Sequence, residues 1–361
     1  MPRSSTSPVL VAVVGCGAFG RNHARVYHEL EQKGEPVKLV GVVDTNMMRA
    51  EAVAAQNGTQ AFPGVRELLE AGEVHAASVA VPTVHHLAVA RELLAGGVDV
   101  LIEKPIATTL AEADELIALA RKHNRVAQVG HLERFNPGVR AAVPLVTQPM
   151  FFEVHRLSVF SPRALDVDVV LDLMIHDLDI VLSFVNSPVR EVRAVGLPIL
   201  SDKVDIASVR LEFENGCVAN FTASRVSTEK VRKLRFFQPH EYISIDYSRR
   251  DVLSISVQPP TASQPGQEAP EIRTGAFRAE DIARMTKSTP PLPPQFAIGK
   301  PPIEQEEPLH AELRSFLSAV RRVNAPVVTL EDGRRALALA LDILTQIEEH
   351  TRRARLQNLQ K

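Results

Sequence analysis

The pattern Gly15-Cys16-Gly17-Ala18-Phe19-Gly20 lies between an apolar run at 9–14 and a helical stretch at 20–32, and few folds accommodate that order. A strand that turns through glycines straight into a helix is the fingerprint of a dinucleotide-binding βαβ unit. Gly15 permits the tight turn, Gly17 lets a pyrophosphate approach the backbone, and Gly20 lets helix and strand pack closely. The helix N-terminus then offers N–H groups and a positive dipole end to the phosphates, with Ala18 and Phe19 counted among the contacting residues. A Gly-rich turn in an unrelated α/β fold is the bland alternative.

The alternation continues. Strand-like runs at 37–43, 76–81, 99–102 and 126–129 take turns with helical stretches at 49–56, 65–71, 85–95 and 110–122. That is the pattern of a parallel sheet covered on both faces. Beyond Pro137 it changes to a strand at 151–160, a helix at 169–185, and strands at 192–196, 206–214, 217–226, 231–237, 242–247 and 252–257. Asn215-Gly216 predicts a type I′ hairpin turn, with φ > 0 at both residues. The stretch 258–308 reads as a long Pro-rich loop or arm, followed by amphipathic helices at 310–323 and 332–350. The expected fold class is α/β: an N-terminal Rossmann doubly wound parallel sheet, then a C-terminal α/β domain with a large, mainly antiparallel open sheet. The expected domains are 1–130 for the dinucleotide, 131–308 for substrate and oligomerisation, and 309–361 as helices packing back on the core.

Composition removes several function classes. A formal net charge of −2 offers no field for nucleic acid or an anionic membrane. The two cysteines, Cys16 and Cys217, are too few for a disulfide framework and lack metal-ligand spacing. No run approaches the roughly 18 apolar residues a membrane span needs. The expectation is a cytoplasmic protein with no metal site, no nucleic-acid partner and no membrane partner.

Asp44 ends the second strand, in the region about 20 residues beyond the glycines where a carboxylate accepts from the adenosine ribose hydroxyls. It would repel a 2′-phosphate, so NAD is favoured over NADP, although Arg49 lies close; Asp44 could instead cap the next helix. Pro82, Thr83 and His86 end another strand on the same edge and are placed along the nicotinamide half. Glu103-Lys104-Pro105 follows a buried strand, and ligands bind beyond the carboxyl ends of such strands, so Lys104 should face the cleft and donate to a substrate oxygen. Read alone, those three residues are equally a charged exposed turn.

Asp172 and His176 share a helix face at spacing i, i+4 within a stretch of Val, Leu, Met and Ile. A carboxylate there can orient the imidazole and raise its basicity, giving a general base, or the two can simply satisfy each other. Asp177 and Asp179 add negative charge. The junction 130–137 brings His131, Arg134 and Asn136; His131 could merely cap a strand, whereas Arg134 and Asn136 look exposed to a ligand. Arg156 and Arg163 could meet a phosphate-bearing substrate or be surface charges.

Together, Gly15-x-Gly17-x-x-Gly20, Asp44, Glu103-Lys104-Pro105, the 130–137 segment and Asp172-x-x-x-His176 resemble the glucose-fructose oxidoreductase/inositol dehydrogenase/MocA family over nearly the whole chain. The resemblance implies hydride exchange between a nicotinamide and a sugar or cyclitol carbon, with Lys104 and His176 as catalytic pair and Asp172 as their polar partner. It also implies a homodimer or homotetramer built through the C-terminal sheet. Many members carry Gly where this chain has Met174; the variant at 172–177 is similar to members that oxidise the C3 hydroxyl of UDP-N-acetylglucosamine for lipid A or surface polysaccharides. The alternatives are a dehydrogenase of free cyclitols or monosaccharides, a glycosidase using the redox step transiently, and a non-catalytic NAD-binding regulator.

Overall fold

The computed structural model describes residues 7–160, 167–257 and 296–354. They form two compact units, 1–135 with 306–339, and 136–305 with 340–361. The last helices are thus shared between the units instead of forming a region apart.

In the first unit, β1 (Val9–Val14), β2 (Val37–Val43), β3 (Gln60–Phe62), β4 (Ala76–Val79), β5 (Asp99–Glu103) and β6 (Ala127–Gly130) form one sheet in the order β3-β2-β1-β4-β5-β6. Every pair is parallel. β4 and β5 are buried along their whole length, which is why they read as unbroken apolar runs. The three-residue edge strand β3 was not expected, because so short a segment shows no period.

Local chemistry sets the helices. α1 (Ala18–Gln32) begins two residues earlier than its apolar pattern, directly after the extended Gly17. α2 (Met47–Asn57) is capped by Asn46, whose side chain accepts from Arg49 N–H, and it stops at Gly58 with φ +62°. α3 (Val65–Ala71) and α4 (His86–Ala95) precede α5 (Leu110–Lys122), which opens with a capping box between Thr109 and Glu112. The helix Pro308–Val320 returns to this unit, setting Leu313, Phe316 and Leu317 in one core with Tyr27 and Leu30 of α1.

The second unit holds an eight-stranded sheet in the order β14-β13-β12-β11-β7-β10-β9-β8. Its strands are β7 (Phe151–Val159), β8 (Val189–Leu197), β9 (Ile206–Phe213), β10 (Val218–Ser227), β11 (Val231–Gln238), β12 (Glu241–Asp246), β13 (Asp251–Val257) and β14 (Phe296–Gly299). Only β7 with β10 is parallel; the other pairs run antiparallel. Inward alternation on β7 and β11 buries Phe152 and Phe236, whose rings stack at 5.5 Å.

Three expectations need correction here. The turn between β9 and β10 is not type I′: Gly216 alone takes a positive φ, +84°, while the Asn215 side-chain oxygen accepts from Cys217 N–H at 3.0 Å. The arm expected over 258–308 is not all loop, since β14 pairs with β13; its residues 258–295 lie outside the described residues. The helix expected over 169–185 has two parts, a π-helical turn at Val170–Met174 and α7 (Ile175–Phe184), so its side chains do not keep one regular 3.6-residue face. Among the described residues, no helix is long and apolar enough to cross a membrane.

Candidate functional site

At the carboxyl ends of β1, β2 and β4 the first unit carries a cleft of about 600 Å³. The sheet order reverses here, because β1 pairs with β2 on one side and with β4 on the other. Such a switch point leaves a crevice for a ligand. The glycine loop forms one wall. Gly15 takes φ +96°, and a Cβ there would lie 2.5 Å from the Ala80 carbonyl oxygen. A Cβ on Gly20 would stand 1.7 Å from the Gly15 carbonyl oxygen, whereas one on Gly17 would meet nothing within 4 Å. Gly15 and Gly20 are therefore needed by the loop itself, and Gly17 presents bare backbone to open space. No side chain caps α1, so its N-terminal end is available to an anion. Ala18 and the half-exposed Phe19 line the same cleft.

Asp44 lines the same cleft beside the loop. Its Oδ2 accepts from Cys16 N–H at 2.9 Å and its Oδ1 from Asn46 N–H at 2.8 Å, so it latches the glycine loop to the end of β2. It does not cap α2; Asn46 does. Arg49 Nη1 stands 3.5 Å from Asp44 Oδ2. Burial and then the Asp44 charge push the Cys16 thiol up to about 11, which leaves it protonated and inert at neutral pH.

Pro82 lines the cleft, but His86 does not, and Thr83 stands in the adjoining turn. His86 is buried with Nε2 3.0 Å from the Val81 carbonyl oxygen and Nδ1 3.1 Å from that of Pro105. It ties the β4 loop to the Lys104 loop instead of meeting a ligand, and desolvation lowers its pKa. His85 takes the cleft position, together with Ala88, Val89 and Glu92 of α4. Their helical spacing, one face of α4, is the signal that could have located this wall from sequence.

Glu103, expected from its place at the end of β5 to bind the cofactor alongside Lys104, differs from that expectation. Its carboxylate turns inward, 2.9 Å from His23 Nε2, instead of toward the cleft. The half-buried Lys104 follows it, ahead of a cis peptide to Pro105. Arg134 is half-buried in the short turn Leu132–Phe135, where its charge acts on Asp332, and His131 beside it is buried.

In the second unit, Asn136 is not open to a ligand. It is the buried N-cap of α6 (Pro137–Ala142), with Oδ1 accepting from Gly138 N–H at 3.0 Å and Nδ2 donating to the Tyr247 carbonyl at 3.2 Å. Asn followed by Pro is a strong helix-start signal, and the cap uses the side chain. Arg156 is no surface charge. It is 2% exposed, with Nε 2.6 Å and Nη2 2.9 Å from the two Asp177 oxygens and its guanidinium over the Tyr247 ring at 5.1 Å. This fork joins β7 to α7 and engages the face expected to grip a substrate phosphate. Removing one charge from such a buried pair is strongly destabilising, so Asp177→Asn is expected to lose about 3–5 kcal/mol of stability. Urea denaturation would measure it, and a loss near zero would refute the structural role. Arg163 lies outside the described residues. Asp172 and His176 are both half-buried, Asp172 in the π turn and His176 in the first turn of α7. Asp177 and Asp179 are buried.

A family model described as an oxidoreductase family with an NAD-binding Rossmann fold matches residues 9–131. A model of the Gfo/Idh/MocA C-terminal domain matches residues 149–238. A UDP-N-acetylglucosamine 3-dehydrogenase from Acidithiobacillus ferrooxidans is 36% identical over 342 residues, 94% of this chain and 98% of that protein. The solved structure of a UDP-N-acetylglucosamine 3-dehydrogenase from the same organism superposes with a TM-score of 0.79 at 33% identity, covering 95% of this chain and 98% of that one. An inositol 2-dehydrogenase from Rubrobacter xylanophilus is 30% identical over 202 residues, 54% of this chain and 57% of that protein.

Proposed function

Because the chain belongs to the Gfo/Idh/MocA family of NAD-binding oxidoreductases, we propose that it oxidises the C3 hydroxyl of UDP-N-acetylglucosamine or a close nucleotide-linked amino sugar. The observation that carries this reading is identity sustained along almost the whole of a UDP-N-acetylglucosamine 3-dehydrogenase, while the inositol dehydrogenase aligns over little more than half its length.

The first unit fits the dinucleotide. Bare backbone at Gly17, the uncapped N-terminus of α1 and the Asp44 carboxylate line one cleft, matching pyrophosphate and ribose. When bound, NAD⁺ supplies the hydride acceptor. The remaining work belongs to the chain. Lys104 donates a hydrogen bond to the reacting hydroxyl oxygen, favouring the alkoxide that develops as the C–H bond weakens. His176 accepts the hydroxyl proton, and Asp172 is assigned as its polar partner. Arg134 is assigned to the substrate, and Pro82 to the cofactor. Self-association is assigned to the eight-stranded sheet, on the face that carries Phe151, Phe237 and Tyr242.

The test is NAD⁺ reduction with UDP-N-acetylglucosamine beside myo-inositol and glucose. Turnover is expected on the nucleotide sugar, with at least about a hundredfold lower kcat/KM on the free compounds, because the nucleotide's binding energy is absent. Activity confined to myo-inositol or glucose would replace this reading with a free-polyol dehydrogenase.

A further inference from the structure

Behind the Lys104 loop, three titratable side chains meet away from any surface. His23 on α1, Glu103 at the end of β5 and Glu312 on the helix Pro308–Val320 bring one nitrogen and two carboxylate oxygens within 4.8 Å of one another. His23 and Glu312 are 0% exposed and Glu103 is 9% exposed. His23 Nε2 stands 2.9 Å from Glu103 Oε1. Gly130, the β6 partner of Glu103, makes room for that oxygen, because a Cβ there would lie 2.9 Å from it. Neither oxygen of Glu312 has a hydrogen-bond partner among the described residues.

Two carboxylates this close in an enclosed place do not both ionise; one keeps its proton. The partners decide which. Glu103 has the His23 N–H, and Glu312 has no donor, so the charge falls on Glu103 and the proton on Glu312. His23 Nδ1 is enclosed with no hydrogen-bond partner among the described residues. Tyr27 is the other titratable group that feels Glu312, and its hydroxyl is engaged 3.0 Å from Ser78 Oγ. Burial first, and the Glu103 charge second, hold the Glu312 carboxyl well above the usual carboxylate range. A divalent cation would also neutralise the pair, but with His23 and Glu312 0% exposed and Glu103 9% exposed the site gives a hydrated ion little access.

We propose that Glu312 is kept as a neutral acid so that Glu103 alone is charged behind the loop, making His23, Glu103 and Glu312 a positioning unit for Lys104. This rests on the reading of Lys104 as the donor to the substrate oxygen. A second charge at position 312 would drive Glu103 from His23, and Lys104, its chain neighbour, would move with it.

Infrared difference spectroscopy on the full chain at neutral pH is expected to show a protonated-carboxyl C=O band that disappears in Glu312→Gln. The neutral Glu312→Gln enzyme is expected to keep kcat within about twofold. Glu103→Gln is expected to lose up to about a hundredfold in kcat with KM for NAD⁺ unchanged, since a displacement near 1 Å costs about that much. Gly130→Ala crowds Glu103 Oε1 and Cδ most closely, at 2.9 and 3.0 Å, with the Glu103 Cα at 3.2 Å, so it serves as a second probe with the same split, its fold checked by a melting curve. Absence of the band in the unaltered protein, a Glu312→Gln loss as large as that of Glu103→Gln, or a stoichiometric divalent metal in the purified protein would overturn the proposal. If Lys104 is not the donor, Lys104→Met keeps its turnover while the band persists, which separates the two failures.

Discussion

Lys104→Met is expected to lower kcat by about 10²–10⁴-fold, the usual contribution of a positioned proton-transfer or donor group, while NADH binding stays within a few-fold. The substitution keeps most of the unbranched side chain and removes the ammonium. Lys104 is half-buried at the end of β5, so the methionine needs no rearrangement of the buried Leu101-Ile102 run that precedes it. A loss of kcat with intact cofactor affinity would mark an interaction made in the transition state rather than in ground-state binding. Unchanged turnover would remove Lys104 from the mechanism.

Gly20→Ala is expected to abolish measurable NADH binding and to lower thermal stability. The added methyl would lie 1.7 Å from the Gly15 carbonyl oxygen and 2.8 Å from its carbon, and both are backbone atoms of the turn. Overpacking costs about 1–3 kcal/mol where side chains can give. Here α1 must shift away from the glycine loop, so the cost is at the top of that range or above it. Gly17→Ala is the control: its methyl meets no protein atom within 4 Å, so it should melt like the parent protein and yet bind NADH poorly. Fluorescence titration and a melting curve on the two variants read both quantities. Equal behaviour of the pair, or unimpaired binding by Gly20→Ala, would contradict the division of roles among the glycines.

The legible part of this chain is the part written in short-range chemistry. Val9–Val14 next to Gly15, Gly17 and Gly20 announces a strand, a turn and a helix, and the structure builds them there. The alternation of β1, β2, β4, β5 and β6 with α1 to α5 was equally readable, because short apolar runs take turns with longer stretches of helical period. What stayed hidden depends on neighbours distant in sequence. Arg156 looks like any strand arginine until Asp177, on a different element, encloses it. His86 and His85 are adjacent and chemically identical, and only the fold decides that one becomes a buried strut and the other faces the cleft. The π turn at Val170–Met174 leaves no trace in an apolar run that fits a regular helix equally well. Asn136 was readable and misassigned, since Asn-Pro marks a helix start whatever else a polar side chain at a junction suggests.

The latch formed by Asp44 bears on how cofactor preference can change over evolution or in engineering. Its two oxygens hold the amides of Cys16 and Asn46, so the residue proposed to disfavour a 2′-phosphate also fastens the loop proposed to receive the pyrophosphate. Replacing it by Ala to admit NADP would release two backbone amides along with the charge, and the variant would bind either dinucleotide worse. A route toward NADP therefore passes through Asn or Ser at position 44, which keep an acceptor for one amide, with Arg49 then free to turn to the phosphate. Preference for NAD is in this sense conserved by folding as much as by recognition.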